Sequence, residues 1–214
     1  MSDFCDLWTK IIEIHNYTKG LFLWAEEIDP ELKLFNQPNN ELRNALEHII
    51  RFKAGELGLT PNGDGDTEDY SAKSLDKALG HEYRAFFDTA DWFSITLREK
   101  IINSLAPYSI SCIKEVLPDY YSRDRAAIDK ICKDIAKIRD SKDVDRKNEV
   151  LREVTDYYAQ ISKLYEIWET IRDKEPSLNE CSMKLFKESV WRNALTVLIG
   201  IIVGFALRTI FKKP

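Results

Sequence analysis

Arg43 and His48 are separated by four intervening residues in the segment Glu41-Leu42-Arg43-Asn44-Ala45-Leu46-Glu47-His48. Together they offer the two functions that phosphodiester cleavage requires. An imidazole of near-neutral pKa can take a proton from a ribose 2′-hydroxyl, and a guanidinium can stabilise the charge that develops on the attacked phosphate. Such chemistry needs no metal and no cofactor, and its product carries a 2′,3′-cyclic phosphate. On a helix Asn44 and His48 stack at i, i+4, so Asn44 can support the imidazole. Arg43 lies about 140° around the axis from His48 and must use its length to converge on the same cleft. Glu47, beside His48, is an auxiliary candidate. Two such helices meeting across a dimer would gather two Arg, two His and two Asn in one anion-binding cleft. The same residues also fit a structural reading, in which Arg43 pairs with Glu47 or Glu41 and a partly buried His48 finds a neighbouring carboxylate. His81-x-x-Arg84 forms a second His/Arg pair at i, i+3, followed by Asp88 and Asp91. Its expected role is packing or ion pairing, the alternative being accessory lining of the same cleft. His15, among apolar neighbours, is expected to be structural.

These residues need helices to position them, and apolar periodicity supplies helices throughout. A first helix over about residues 4–28 carries Phe4, Leu7, Trp8, Ile11, Ile12, Leu21, Phe22 and Ile28 on one stripe. Asp29-Pro30 ends it, and the turn chemistry of residues 36–40 precedes a second helix over about 41–58, with Gly58 as its C-terminal stop. Residues 59–70 lack periodicity and predict an acidic loop. Its Asp64-x-Asp66-x-Glu68 alternation lacks the sixth-position Gly and twelfth-position carboxylate of a calcium loop. A long, aromatic-rich helix spans about 72–105 until Pro107 interrupts it. A short helix follows at about 110–117, then one that Ser122 can cap, with Ile128, Ile131, Ile135 and Ile138 on one side, then another over about 144–172. The dense mixed charge of that last helix reads as a solvated face.

The 214 residues are 44% hydrophobic and 31% charged, with only 8 Gly and 7 Pro, a composition that excludes disorder and argues against a loop-rich β fold. The net charge of −5 provides no global attraction to nucleic acid, so any RNA contact must be local. Cys5, Cys112, Cys132 and Cys181 show no metal-ligand spacing and are expected as reduced thiols. No basic, apolar leader opens the chain, so the body is expected in the cytoplasm. Residues 194–207 are uncharged and largely apolar, about 21 Å of helix against a hydrocarbon core of about 30 Å. Trp191 at one border, Arg192 and Arg208 able to snorkel, and Ile210 and Phe211 beyond them extend the segment to a single-pass tail anchor at 190–212 in the inner (cytoplasmic) membrane. Gly200 and Gly204 share one face of it at a spacing that favours close helix packing.

With Arg43, Asn44 and His48 in view, the chain resembles the HEPN superfamily. Its members are helical bundles that commonly dimerise, and its ribonucleases carry an Arg-x4-6-His motif. Asn44 matches the polar residue often found after the family's Arg. The resemblance covers about residues 1–105 and implies that Arg43 and His48 are catalytic, with Asn44 supporting and Glu47 assisting. The motif lies on the second helix, whereas many members carry it nearer the end of the bundle. Joined to a membrane helix, such a body is similar in architecture to membrane accessory proteins of type VI CRISPR loci and other antiviral effectors. The expectation is an all-α protein: a HEPN-like bundle over 1–120, a helical extension over 121–189 and the anchor over 190–212. Its expected partners are a lipid bilayer, a second copy or higher homo-oligomer, an RNA substrate and a defence-system protein. Two non-enzymatic alternatives stand beside the ribonuclease: an oligomer that perturbs or perforates membranes, and a membrane adaptor.

Overall fold

The computed structural model of the chain describes residues 2–28, 36–59, 67–141 and 149–210. Seven α-helices follow one another: α1 (Ser2–Ile28), α2 (Asn36–Glu56), α3 (Thr67–Leu105), α4 (Ile110–Val116), α5 (Arg125–Ser141), α6 (Val150–Asp173) and α7 (Glu175–Ile210). A π-helical turn, Tyr120–Asp124, leads directly into α5. Among the described residues there is no strand, and the expected all-α class holds.

The core is the seam where α1, α3 and α6 meet. Ile11, Ile14, Leu21 and Ala25 come from α1, Leu79, Phe86, Phe93 and Leu97 from α3, and Val154, Tyr157, Ile161 and Leu164 from α6, all essentially excluded from solvent. Their spacing of three and four is what turns one stripe of each helix inward. Trp24 stacks on Tyr165 with centroids 4.7 Å apart and planes within 9°, joining α1 to α6. Buried polar groups are tied across the same seam. Tyr157 donates its hydroxyl to Asp91 Oδ1 at 2.7 Å, and Arg139 Nε holds that oxygen from α5 at 3.1 Å. Tyr83 donates to Glu153 at 2.6 Å.

Helix ends differ from expectation in instructive ways. α2 begins at Asn36, five residues early, because Pro38 falls in the first turn, where a missing N–H costs nothing. α3 begins at Thr67, inside the expected loop. Of the calcium reading, Asp64, Asp66 and the Glu68 side chain lie outside the described residues. α6 runs over Val150–Asp173, and the expected start near 144 lies outside the described residues. Gly58 stops α2 as expected. At φ 67° it lets the Leu59 N–H reach Ala54 O at 2.8 Å and its own N–H reach Gly55 O at 3.1 Å. Ser122 caps nothing; it lies inside the π-turn and bonds back to Asp119 O. α4 is capped by Ser109, whose Oγ accepts from Cys112 N at 3.3 Å.

α2 packs along α3 through Ala45 and Phe52 and through Gly55. A methyl group at Gly55 would overlap the Ser71 hydroxyl and stand 3.2 Å from the Tyr70 ring. Gly55→Ala is therefore expected to lower stability by about 1–3 kcal/mol, against the gain of up to about 1 kcal/mol the same change brings in an open helix. An unchanged urea midpoint would count against this close approach.

The thiol expectation is corrected for two cysteines. Cys112 on α4 and Cys181 on α7 are joined by a disulfide, with Cα atoms 5.7 Å apart, while Cys5 and Cys132 are free. Tyr108 adds a hydrogen bond to Asn179 Oδ1 at 2.8 Å, so the base of α7 is tied to the body twice. Such a bond persists in oxidising surroundings and is reduced in a reducing compartment. Alkylation of the unfolded chain without reductant is expected to modify Cys5 and Cys132 and to spare Cys112 and Cys181. Modification of all four would restore the thiols.

Beyond this base, α7 leaves the body. Residues 190–204 are exposed or nearly so on every side, including Trp191 at 78%, Val197 at 63% and Ile201 at 64%. Among the described residues, no helix is long and apolar enough to cross a membrane. The expected transmembrane helix at 190–212 is corrected to that extent. Its uncharged run is short, Arg192 and Arg208 flank it, and the side chains of 205, 206, 208–210 and all of 211–214 lie outside the described residues.

Candidate functional site

The face that α2 turns toward α3 carries Glu41, Ala45, His48, Phe52 and Gly55, successive steps of four and three. Glu41 is 9% exposed, and a carboxylate so buried needs partners. It has them on α3: His81 Nδ1 at 2.7 Å and Arg84 Nε at 3.0 Å, both on Oε2. Burial pushes the Glu41 carboxyl up, but the hydrogen bonds from His81 and Arg84, with the charge of Arg84, outweigh it and hold the pKa below its ordinary value. Glu41 is thus ionised at neutral pH and an acceptor only.

That fixes the direction of the contact between His81 and Glu41. Arg84 Nη2 also lies 2.8 Å from His81 Nδ1, and a nitrogen cannot both accept from a guanidinium and donate to a carboxylate. With Glu41 ionised, Nδ1 carries the proton and donates to it, which leaves Nε2 as the ring's outer nitrogen. His48 stacks on this ring, centroids 5.2 Å apart and planes within 17°. Its own Nδ1 is buried without a hydrogen-bond partner among the described residues. Burial first, then the neighbouring His81, Arg51 and Lys77, hold the His48 pKa below its ordinary value, so the ring is neutral at pH 7.

The expected residues therefore divide. His48, His81 and Arg84 come together, the last two in the accessory position considered for them, and Glu41 joins them as the anchor. Arg43 does not join them within one protomer. It is exposed and lines a neighbouring groove with Trp8, Ile12, His15 and Leu46. Asn44 is half-buried beside it, and Glu47 is engaged at the surface with Arg51. Neither partner proposed for Arg43 in the structural reading is the one found, since Glu41 goes to α3 and Glu47 to Arg51. His15 pairs with Glu82 at 3.2 Å, linking α1 to α3, as suits a structural histidine. Gly200 and Gly204 face open space, with nothing near a built Cβ.

Glu41 is the residue that sequence reasoning undervalued. Its signal was available: a Glu seven positions before His48 shares that histidine's helix face. Chemically, the cluster offers a neutral imidazole, a second imidazole oriented by a carboxylate, and a guanidinium whose outer edge reaches solvent. Among the described residues, no group of three or more His, Cys, Asp or Glu could hold a metal ion. Compared with known protein families, characterised proteins and solved structures, the chain matches none.

Proposed function

We propose that this chain is a membrane-attached, HEPN-like endoribonuclease that cleaves RNA without a metal ion, in the manner of an antiviral or toxic effector. The observation that carries the reading is the stacked His48–His81 pair, with Glu41 and Arg84 behind it. His48, neutral at pH 7, takes the proton of a ribose 2′-hydroxyl. His81 acts as its imidazolium: Glu41 accepts from Nδ1–H while Nε2–H gives its proton to the departing 5′-oxygen, and Arg84 binds the phosphate between them. Arg43, exposed on its own face, reaches this chemistry only from a second copy of the chain. α7 attaches the enzyme to the bilayer through residues 190–212.

The test is incubation of the full chain, in detergent micelles, with mixed RNA in EDTA. Fragments ending in 2′,3′-cyclic phosphate are the expected result. Absence of cleavage, or cleavage that requires added metal, would sink the reading.

A second, non-enzymatic reading rests on α7. Over residues 190–204 its apolar surface is bare, and Gly200 and Gly204 offer a seam for another copy. An oligomer joined there would perturb the membrane, or would hold a defence partner at it. Dye release from vesicles by the full chain, with no RNA cleavage, is the result that would favour it.

A further inference from the structure

We propose that the cavity between α3 and α5, closed at one end by the π-turn, binds a nucleoside monophosphate. It lies on the other side of α3's length from the His48 cluster and has a volume of about 510 Å3, within the range of about 300–1,000 Å3 typical of small-molecule sites.

Its lining combines two chemistries. Arg98 from α3 and Arg125 from the start of α5 both border it. The side chain of Arg98 is braced from behind, Nε donating to Ser94 O at 3.1 Å and Nη1 reaching Cys132 Sγ at 3.7 Å. Neither arginine is paired with a carboxylate among the described residues, although ion pairs are common elsewhere on this surface. Asp129 is the one acidic residue of the lining, so the cavity keeps a net positive charge. Two guanidiniums around one pocket suit a phosphate dianion, which they can grip by charge-assisted hydrogen bonds.

Tyr108, Tyr120 and Tyr121 supply the second chemistry. Tyr120 and Tyr121 meet edge to face at 5.2 Å and are only half-buried. The π-turn is what brings them here. Asp124 N bonds to Asp119 O at 3.2 Å and the Arg125 N–H to Tyr120 O, each five residues back. The widened turn shifts the side-chain register relative to an α-helix, and such insertions recur at functional sites. Ile101 and Ile113 floor the cavity. Stacking on tyrosine is available to any nucleobase, while the phosphate goes to the arginines. Tyr108, through its hydrogen bond to Asn179, connects the cavity wall to the base of α7.

The experiment is calorimetric titration of the full chain in micelles with AMP, with adenosine and inorganic phosphate as separate titrants. AMP is expected to bind saturably. Arg125→Gln and Tyr121→Ala are each expected to weaken it by about tenfold or more, and adenosine and phosphate alone to bind about tenfold more weakly still than AMP. Arg125 is exposed, so its replacement leaves the fold intact, which circular dichroism verifies. The inference is overturned if AMP gives no saturable binding, if phosphate binds as tightly as AMP, or if binding survives both replacements. It is overturned also if binding is lost in His48→Ala while surviving Arg125→Gln, because the nucleotide would then sit at the α2–α3 cluster.

Discussion

Replacing His48 by alanine is expected to lower RNA cleavage by about two to four orders of magnitude, the usual share of a general acid or base, while the urea midpoint moves far less. The two effects separate because His48 Nδ1 is buried without a partner. Removing that ring loses its stacking on His81 but also relieves the desolvation of an unsatisfied nitrogen. A purely structural histidine would behave oppositely, with stability lost and no specific effect on turnover. His81→Ala should match His48→Ala in rate. Glu41→Gln should fall between wild type and these, because the amide can still hold Nδ1–H through its oxygen but carries no charge. Arg43→Ala separates the two placements of the arginine. Its loss weakens cleavage only if a second copy carries it to the cluster, and then the effect should vanish with dilution of the dimer.

The pH dependence follows from the same geometry. His48 must be neutral to act as base, and its pKa is held below 6.5 by burial and by His81, Arg51 and Lys77. The acid limb of the rate profile is therefore expected below pH 6.5, and a limb above it would contradict the assignment. Stability carries two opposed signs. Between the lowered folded pKa of His48 and 6.5, the unfolded chain binds more protons than the folded one, so stability falls as pH drops through that window. His15 is raised by its hydrogen bond to Glu82. Its contribution is present below 6.5 and disappears as pH rises through the raised value.

The helices were legible because three- and four-residue spacing of apolar side chains is a local property. The stripe of α3, from Leu75 through Phe86, Phe93 and Ile101, reads directly from the sequence and is buried as it reads. Pro107 and Gly58 worked as stops for reasons of backbone chemistry alone. What escaped depends on tertiary placement. Pro38 and Pro176 look like interruptions, yet each sits in the first turn of a helix, where the missing N–H has no partner to lose. The π-turn at Tyr120–Asp124 arises from how α4 hands the chain to α5, and no spacing announces it. The bond between Cys112 and Cys181 joins positions 69 residues apart. At the site, the local spacing along one helix points to Arg43 and Asn44 as partners of His48, while the cluster is built across two helices. Glu41 and His81, forty residues apart, meet only because α2 lies along α3.

Removal of residues 190–214 is expected to move the protein from the membrane pellet to the supernatant almost completely, with the helical body still folded. Among the described residues α7 packs at its base against α4 and α6, whereas 190–204 are exposed, so the body loses no core contact when the segment is cut. On the proposed reading the exposed side chains of this segment are what the bilayer covers. Leu195, Val197, Leu198, Ile199, Ile201, Ile202 and Val203 point in all directions around the helix and are all half or more exposed. Transfer of such a surface to hydrocarbon is worth on the order of 10 kcal/mol, far more than snorkelling costs at Arg192 and Arg208. If so short a run enters a bilayer it needs local thinning or a partner helix, and the Gly200–Gly204 face would offer a place for the partner. Gly200→Leu with Gly204→Leu should therefore keep the chain in the pellet, since it adds apolar surface, but reduce crosslinking between copies. Loss of membrane binding in this double variant would mean that association precedes insertion, and an unchanged crosslink would mean that copies meet elsewhere, on the α1–α2 groove that carries Arg43.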